Sequence, residues 1–349
     1  MSRQDDMELY LKNALLKSYK DSFRLFDDNN YQKTKKSNES SSGNYFEKLK
    51  EELLLRYEDK RFDDYSTITT IDTSFGETLE ITNKEKINFK LKDNNLKDKL
   101  IYDLKLIEGI GPKKEKILKN KGFTNIYHLT DHPTYSNAAR ETLLKIKSSD
   151  FNTLFNYLKS HKNFKSIMAA STLDIENLKF MDIETMGLSN LPIILIGVSS
   201  IHKNKIITKQ YLQREGKEEP AIIEAYLSNL DDDSVHVSYN GASFDIPFIR
   251  NRADYFSINY TKHHNYDLLY YARNLYKQRL KNCRLPTVES YICKFERFDD
   301  VSGKYIPGYY KSYVETGNIG PLVPIVRHNR LDITSLVHIF KKIYDEISF

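Results

Sequence analysis

The stretch LKFMDIETMGL, residues 178–188, decides the fold of this chain, because it sets an apolar β-like run, Leu178 to Ile183, against two acids one residue apart. On a strand, residues i and i+2 point to the same face, so Asp182 and Glu184 project together and can share one cation. Two further acidic clusters follow in order, YNGASFDIPF at 239–248 and HNRLD at 328–332. Asp245 comes after a short β-like run (Val235, Val237, Tyr239), an Asn-Gly turn and Ser243, which places it in the first turn of a helix. Asp332 falls within a helical pattern, with His328 one turn earlier on the same face. Four carboxylates gathered without counter-charge would repel one another and retain protons, so the set implies divalent cations. Hard oxygen donors with no accompanying thiolate favour Mg²⁺ or Mn²⁺ over zinc. Each cluster alone is commonplace: a lone Asp-x-Glu is usually a solvated strand edge or a cap, and a His-x-x-x-Asp on a helix is usually an ion pair. Their joint order, each on a suitable element, gives the pattern of a two-metal nuclease site.

The surrounding periodicity supplies a scaffold for such a site. Leu178–Ile183, Ile193–Ile201 and Ile206–Leu212 read as a meander with a turn at 202–205, followed by a helix over Glu218–Leu230 and a strand over Val235–Tyr239. That order predicts an α/β (α+β) domain, a mixed sheet flanked by helices, over residues 172–349. Upstream, Lys99 to Lys165 is helical in pattern with breaks at Pro133 and Asp150, giving a unit at 99–168. Residues 1–98 form a mixed region: a helix over Met7–Phe26, a flexible Lys/Ser/Asn-rich linker at 33–43, and an amphipathic helix over Tyr45–Tyr57 with Leu49, Leu53 and Tyr57 on one stripe. The β-like segments Tyr65–Ile71, Thr78–Ile81 and Lys86–Leu91 suggest a small sheet of their own.

LKLIEGIGPKKEKILKNKGFTNIYHLTDHP, residues 104–133, is similar to a helix-hairpin-helix motif: a helix ending at Gly109, a Gly-Ile-Gly hairpin, Pro112 opening the next helix and a stop at Gly122. Gly109 and Gly111 let the backbone approach a phosphate, and amide hydrogens at a helix N-terminus favour an anion. Lys113 and Lys114 add charge in the first turn, so the expected contact is to a nucleic-acid backbone and is not sequence-specific. The motif occurs once, and a purely structural hairpin or a protein contact is the alternative.

The three acidic motifs with their flanks resemble the DEDD exonucleases of the ribonuclease H-like superfamily, most closely the YprB-type branch. The resemblance runs through FMDIETMGL at 180–188, YNGASFDIPFIRNR at 239–252 and HNRLD. It also covers the connecting segments YDLLYYAR at 266–273, NCRLPTVE at 282–289 and RFDDVSGKYIPGYYKSY at 297–313. FGETLEIT at 75–82 is similar to the N-terminal region of that branch. The resemblance implies that Asp182, Glu184 and Asp332 hold one cation, that Asp182 also touches a second, that Asp245 ligates directly or through water, and that His328 is the general base. In the proofreading-subunit type the histidine stands five residues before the last aspartate, whereas His328 stands four before Asp332, as in the YprB-type branch. Asn240 and Tyr239 shape either the turn or a substrate groove, and Asp267 reads as a helix N-cap or a fifth acid.

Composition limits the alternatives. With 53 basic and 48 acidic residues in 349, the net charge of +5 permits nucleic-acid binding without requiring it. The two cysteines, Cys283 and Cys293, lack Cys-x-x-Cys spacing, which excludes a zinc ribbon or disulfide scaffold and suits a reducing cytoplasm. MSRQDDMELYLKN has no apolar signal core and the longest apolar runs are too short for a membrane span, so no membrane partner is expected. The expected activity is 3′-to-5′ hydrolysis of phosphodiester bonds in DNA or RNA. A structure-selective endonuclease on the same core and a catalytically silent nucleic-acid-binding protein are the alternatives.

Overall fold

The computed structural model describes residues 43–91, 95–147, 150–160, 164–189, 191–297 and 300–348; the helix expected over Met7–Phe26 and all but the last residue of the linker at 33–43 lie outside them. In chain order, helix α1 (Gly43–Arg56) leads into strands β1 (Ile68–Thr73) and β2 (Gly76–Lys86), then helices α2 (Leu96–Ile101), α3 (Pro112–Asn120), α4 (Ser136–Lys147) and α5 (Phe151–Ser160). Next come β3 (Leu178–Thr185), β4 (Ile193–His202), β5 (Lys205–Leu212), α6 (Glu219–Leu227), β6 (Val235–Ser238), α7 (Asp245–Tyr255), β7 (His264–Asp267) and α8 (Leu268–Tyr276). Helices α9 (Leu285–Cys293), α10 (Ile306–Thr316) and α11 (Leu322–Ser348) follow.

The chain divides into two compact units, one built from residues up to Phe89 together with Glu176–Phe340, the other from Lys90–Ile175 together with residues from Lys341 onward. The first holds a seven-stranded sheet in the order β1-β2-β5-β4-β3-β6-β7. β3 pairs with β6 and β6 with β7 in parallel, and the remaining pairs are antiparallel. β4 is almost wholly buried because apolar clusters cover both faces of the sheet. One cluster gathers α6 and α7 with Met181, Ile183, Ile196 and Val198; the other gathers α1, α10 and the start of α11 with Leu79, Ile81 and Leu195.

The segments at 65–91 do not make a separate small sheet. The β1–β2 hairpin extends the main sheet by pairing β2 with β5, and this covers an edge that would otherwise be open to another chain. Nor is there a strand at Lys86–Leu91. The last pair is Lys86 with Lys205, where β5 begins, so beyond it the chain has no partner strand to follow. Arg330 on α11, almost wholly buried, donates through Nη2 to Glu85 Oε1 at 3.0 Å and ties the hairpin to the helix.

In α1 the predicted stripe of Leu49, Leu53 and Tyr57 is buried, together with Phe46, each side chain contributing about 1.5–3 kcal/mol by leaving water. Backbone approaches backbone here: a Cβ built on Gly320 would lie 2.4 Å from the Leu53 carbonyl oxygen.

In the second unit, Leu100, Leu104, Leu106, Ile110, Leu118, Ile126 and Leu129 are buried with Leu154, Phe155 and Leu158 of α5. The Tyr157 hydroxyl donates to the Leu106 carbonyl at 2.6 Å, tying α5 to the segment before the hairpin. That segment is a single 3-10 turn over Leu104–Leu106 and not a helix reaching Gly109. Gly109 takes φ +83°, a left-handed conformation that suits glycine and breaks helical continuity. Among the described residues no helix is long and apolar enough to cross a membrane.

Gly320→Ala is expected to destabilise the first unit by about 1–3 kcal/mol, since a backbone carbonyl cannot yield as a side chain can. Thermal melting checks it, and an unchanged melting temperature would contradict the close approach at Leu53.

Candidate active site

The acids meet where a strand pairing stops. β6 pairs with β3 only from Leu178 to Phe180, so further along β3 the side facing β6 is not paired by that strand. The chain leaving β6 turns through Asn240, at φ +65°, and starts α7 at Asp245, whose Oδ1 accepts the Ile183 N–H at 3.2 Å. A helix-start carboxylate thus takes up a strand donor beyond the end of the β6 pairing. Glu184 near the carboxyl end of β3, Asp245 just past β6 and Asp267 at the end of β7 stand at the same end of three parallel strands, the end at which open α/β sheets place ligands.

Asp182 is held from α11. Asn329 Nδ2 donates to the Asp182 backbone carbonyl at 3.1 Å and to Oδ2 at 3.0 Å, while Gln210 Nε2 on β5 donates to Asn329 Oδ1 at 2.9 Å. Gly197, paired with Asp182 across β3 and β4, makes room for this: a Cβ there would lie 2.0 Å from Asn329 Oδ1. Glu184, two residues on and on the same face, is buried. The strand reading of Asp-x-Glu therefore stands, and the helix adds an amide that orients the first acid.

On α11, His328 and Asp332 share one face, with His328 Nε2 3.8 Å from Asp332 Oδ2. The stronger partner of His328 is Asp300, whose Oδ1 lies 2.8 Å from Nδ1. Arg297, almost wholly buried, puts Nη1 2.5 Å from Asp332 Oδ1 and 3.0 Å from Asp300 Oδ2, and its Nε donates to Glu289 Oε2 at 2.7 Å. A guanidinium therefore serves as internal counter-charge. Among the described residues no three His, Cys, Asp or Glu side chains are placed closely enough to enclose a metal ion.

The donor set nevertheless fits a hard cation. Glu184 Oε1 is buried without a hydrogen-bond partner, and Asp332 Oδ1, though beside Arg297, makes no hydrogen bond of proper geometry. An unpartnered buried oxygen such as Glu184 Oε1 is costly unless a cation or a donor completes it. Burial is the largest influence on the acids and favours their neutral forms: Glu184 is pushed up to about 8, Asp245 up to about 7, and Asp182 well above the ordinary carboxylate range. Repulsion among Asp182, Glu184, Asp245 and Asp332 adds to the rise, and His328 partly offsets it at Asp182 and Glu184. For His328 burial acts downward, but Asp300 and Asp332 outweigh it and hold the imidazole well above its usual range. Asp300 is the converse: burial acts upward, and His328 and Arg297 outweigh it and keep the carboxyl well below its usual range.

Asp267 is the N-cap of α8, accepting from Leu269 N at 3.1 Å, and it also takes the N–H groups of Asn240 at 2.8 Å and Ala242 at 3.2 Å. It fixes the turn that delivers Asp245. Asn240 is exposed in that turn, and the Tyr239 hydroxyl donates to the Cys283 carbonyl at 2.6 Å. In the second unit, Gly111 is the N-cap of α3 and Lys113 and Lys114 are exposed in its first turn.

Arg297, Asp300, Glu289, Asn329 and Gln210 carry much of the geometry and were not singled out by sequence. Arg297 and Asp300 lie in a segment without recognisable periodicity; it falls within the resemblance at 297–313, which attached no role to either residue. Asn329 sits inside HNRLD, where helical spacing already placed His328 and Asp332 on one face and gave it no separate signal.

The fold agrees with what the chain is similar to. Residues 179–344 match the family model RNase_H_2, described as RNase_H superfamily. The chain is 30% identical over 189 residues to the uncharacterized protein YprB of Bacillus subtilis (strain 168), a match covering 51% of this chain and 46% of that protein. The chain thus spans about half the length of the curated relative that it matches.

Two outcomes test the electrostatics. Because Glu184, Asp245 and His328 bind protons more tightly folded than unfolded, stability falls as pH rises through their folded pKa values. Buried His236 and His338, pushed down to about 3 and about 4, oppose this only below the ordinary histidine range. Between about pH 6.5 and 8.5 the melting temperature of the metal-free protein should therefore decline, and Mn²⁺ should raise it more at the upper end. A flat profile with no Mn²⁺ effect would contradict the cluster. Arg297→Met should destabilise by about 3–5 kcal/mol, since Glu289, Asp300 and Asp332 lose their shared cation. Chemical denaturation of the first unit reads this loss, and equal stability would show that the guanidinium is not the balancing charge.

Proposed function

We propose that this chain, which carries a ribonuclease H-like domain of the YprB type at residues 179–344, is a metal-dependent nuclease that hydrolyses DNA or RNA from the 3′ end. The observation that carries the reading is the gathering of Asp182, Glu184, Asp245 and Asp332 in one place, where their mutual repulsion is felt and buried Glu184 Oε1 lacks a hydrogen bond. A fold gains nothing in stability from such a set, because each buried carboxylate is costly without a partner.

Asp182, Glu184 and Asp332 would hold one divalent cation, Asp182 would also reach a second, and Asp245 would ligate directly or through water. Bound Mg²⁺ or Mn²⁺ supplies charge that polarises a phosphodiester, lowers the pKa of an attacking water and steadies the leaving 3′ oxygen. The chain's own part begins with Asn329, which orients Asp182 through the hydrogen bond to Oδ2. His328 presents Nε2 toward Asp332 and takes the proton of the attacking water. The anions around His328 hold its proton tightly, and neutralising them with cations weakens that hold and brings the imidazole toward the range of a working base.

Gly109, Gly111, Lys113 and Lys114 grip a nucleic-acid backbone at the N-terminus of α3, and exposed Asn240 contacts the strand beside Asp245. These contacts read phosphate and not base, so binding is insensitive to sequence and weakens with salt.

A time course with 5′-labelled single strands and recessed duplexes of DNA and RNA, in Mg²⁺, in Mn²⁺ and with chelator, tests the reading. The expected result is a metal-dependent ladder shortening from the 3′ end, reduced at least about 100-fold in Asp182→Ala. Internal cleavage of a 3′-blocked substrate would replace the exonuclease by an endonuclease. Binding without cleavage of any substrate would overturn the enzyme and leave a binding protein.

A further inference from the structure

The two ring nitrogens of His328 meet different surroundings. Nδ1 lies 2.8 Å from Asp300 Oδ1, and Nε2 lies 3.8 Å from Asp332 Oδ2. An ionised carboxylate has no proton to give, so the short contact at Nδ1 requires the proton to be on that nitrogen. The nitrogen left to accept a proton is then Nε2, on the side of Asp332.

Asp300 is itself fixed. Its Oδ2 lies 3.0 Å from Arg297 Nη1, Arg297 Nε donates to Glu289 Oε2 at 2.7 Å, and Glu289 Oε1 accepts the hydroxyl of Ser335. Ser335 stands on α11 seven residues after His328, so the chain of contacts leaves that helix at His328 and returns to it two turns later. Glu289 is wholly buried and Arg297 almost so, which makes the relay rigid and shields it from solvent screening. A residue needed only to accompany His328 on its helix is already present in Asp332, four residues on. The structure instead gives the closer contact to an aspartate 28 residues upstream.

We propose, resting on the reading of His328 as the general base, that Asp300 is the positioning residue of His328, holding the ring and its Nδ1–H tautomer so that Nε2 faces the acid cluster. The proton balance is simple. Water gives its proton to Nε2, the imidazole becomes an imidazolium that keeps its Nδ1–H on Asp300, and Asp300 takes no proton. The charged groups felt by the ring include Asp300, Asp332, Glu184 and Asp182, and of these Asp300 is the one within hydrogen-bond distance of Nδ1. Carboxylates behind imidazoles act in this way elsewhere: they select the tautomer and steady the charged ring.

The experiment compares wild type, Asp300→Asn, Asp300→Ala and His328→Gln, with melting curves to establish folding. Asp300→Asn keeps the shape and removes the charge, so it carries the test if the alanine variant does not fold. Long-range ¹H–¹⁵N spectra of the metal-free protein across about pH 6 to 10 report which ring nitrogen holds the proton, with His328→Gln assigning the signal. Wild type should show His328 protonated at Nδ1 when neutral, and Asp300→Asn should lose that preference. With nucleic acid and Mg²⁺, kcat of Asp300→Asn should fall roughly 10- to 100-fold with KM changed less than about twofold, and adding Asp300→Asn to His328→Gln should cost little more. An unchanged tautomer and kcat in Asp300→Asn would overturn the proposal, as would losses that multiply in the double variant. Absence of cleavage by wild type would overturn the nuclease reading and the catalytic half of this proposal with it, while the spectra would still decide whether Asp300 sets the ring.

Discussion

Negative charge placed inside a sheet protein is the constraint on which this structure depends. Asp182 and Glu184 share a face of β3 because strand geometry leaves them no choice, and the same geometry puts them under α11, where water cannot freely solvate them. Much of the first unit can be understood as a response. The pairing of β6 with β3 stops at Phe180, so that Asp245 can take the Ile183 N–H, and Asn329 supplies an amide to Asp182. Arg297 brings a buried cation to Asp332. The acids stay close because neighbouring elements lend donors, while burial favours the neutral forms of Asp182, Glu184 and Asp245.

An internal cation also balances part of the acids' charge. A guanidinium at Asp332 and an imidazole between Asp300 and Asp332 balance charge that a divalent ion would otherwise balance. Arg297 holds three carboxylates at once, so moving Asp332 toward an ion would still leave it paired with Glu289 and Asp300. The arrangement permits Asp332 to change partner without exposing an unpaired buried charge, which is the costly alternative.

The central strands and the order of the acids were legible in the sequence because their signals are local. A six-residue apolar run ending in Asp-x-Glu has one sensible strand reading, and a His-x-x-x-Asp spacing has one sensible helical face. The amphipathic stripe of α1 and the cap at Asp267 were legible for the same reason. Contacts made across the fold were not. Asn329 matters because Gly197, more than a hundred residues earlier, leaves it space; Asp300 matters because a loop brings it to His328. The segments at 65–91 looked like a sheet of their own because a hairpin's alternation says nothing about which strand lies beyond it, and here β5 does.

On the proposed reading the four acids form a cation site, and Arg297 pairs with Asp332 beside it. Crystals of the protein soaked in Mn²⁺ and measured for anomalous scattering test this most directly. The account predicts anomalous density bounded by Asp182, Glu184, Asp245 and Asp332, with Arg297 withdrawn from Asp332 and still paired to Glu289 and Asp300. Crystals with no density between the acids and Arg297 unmoved at Asp332 would contradict it.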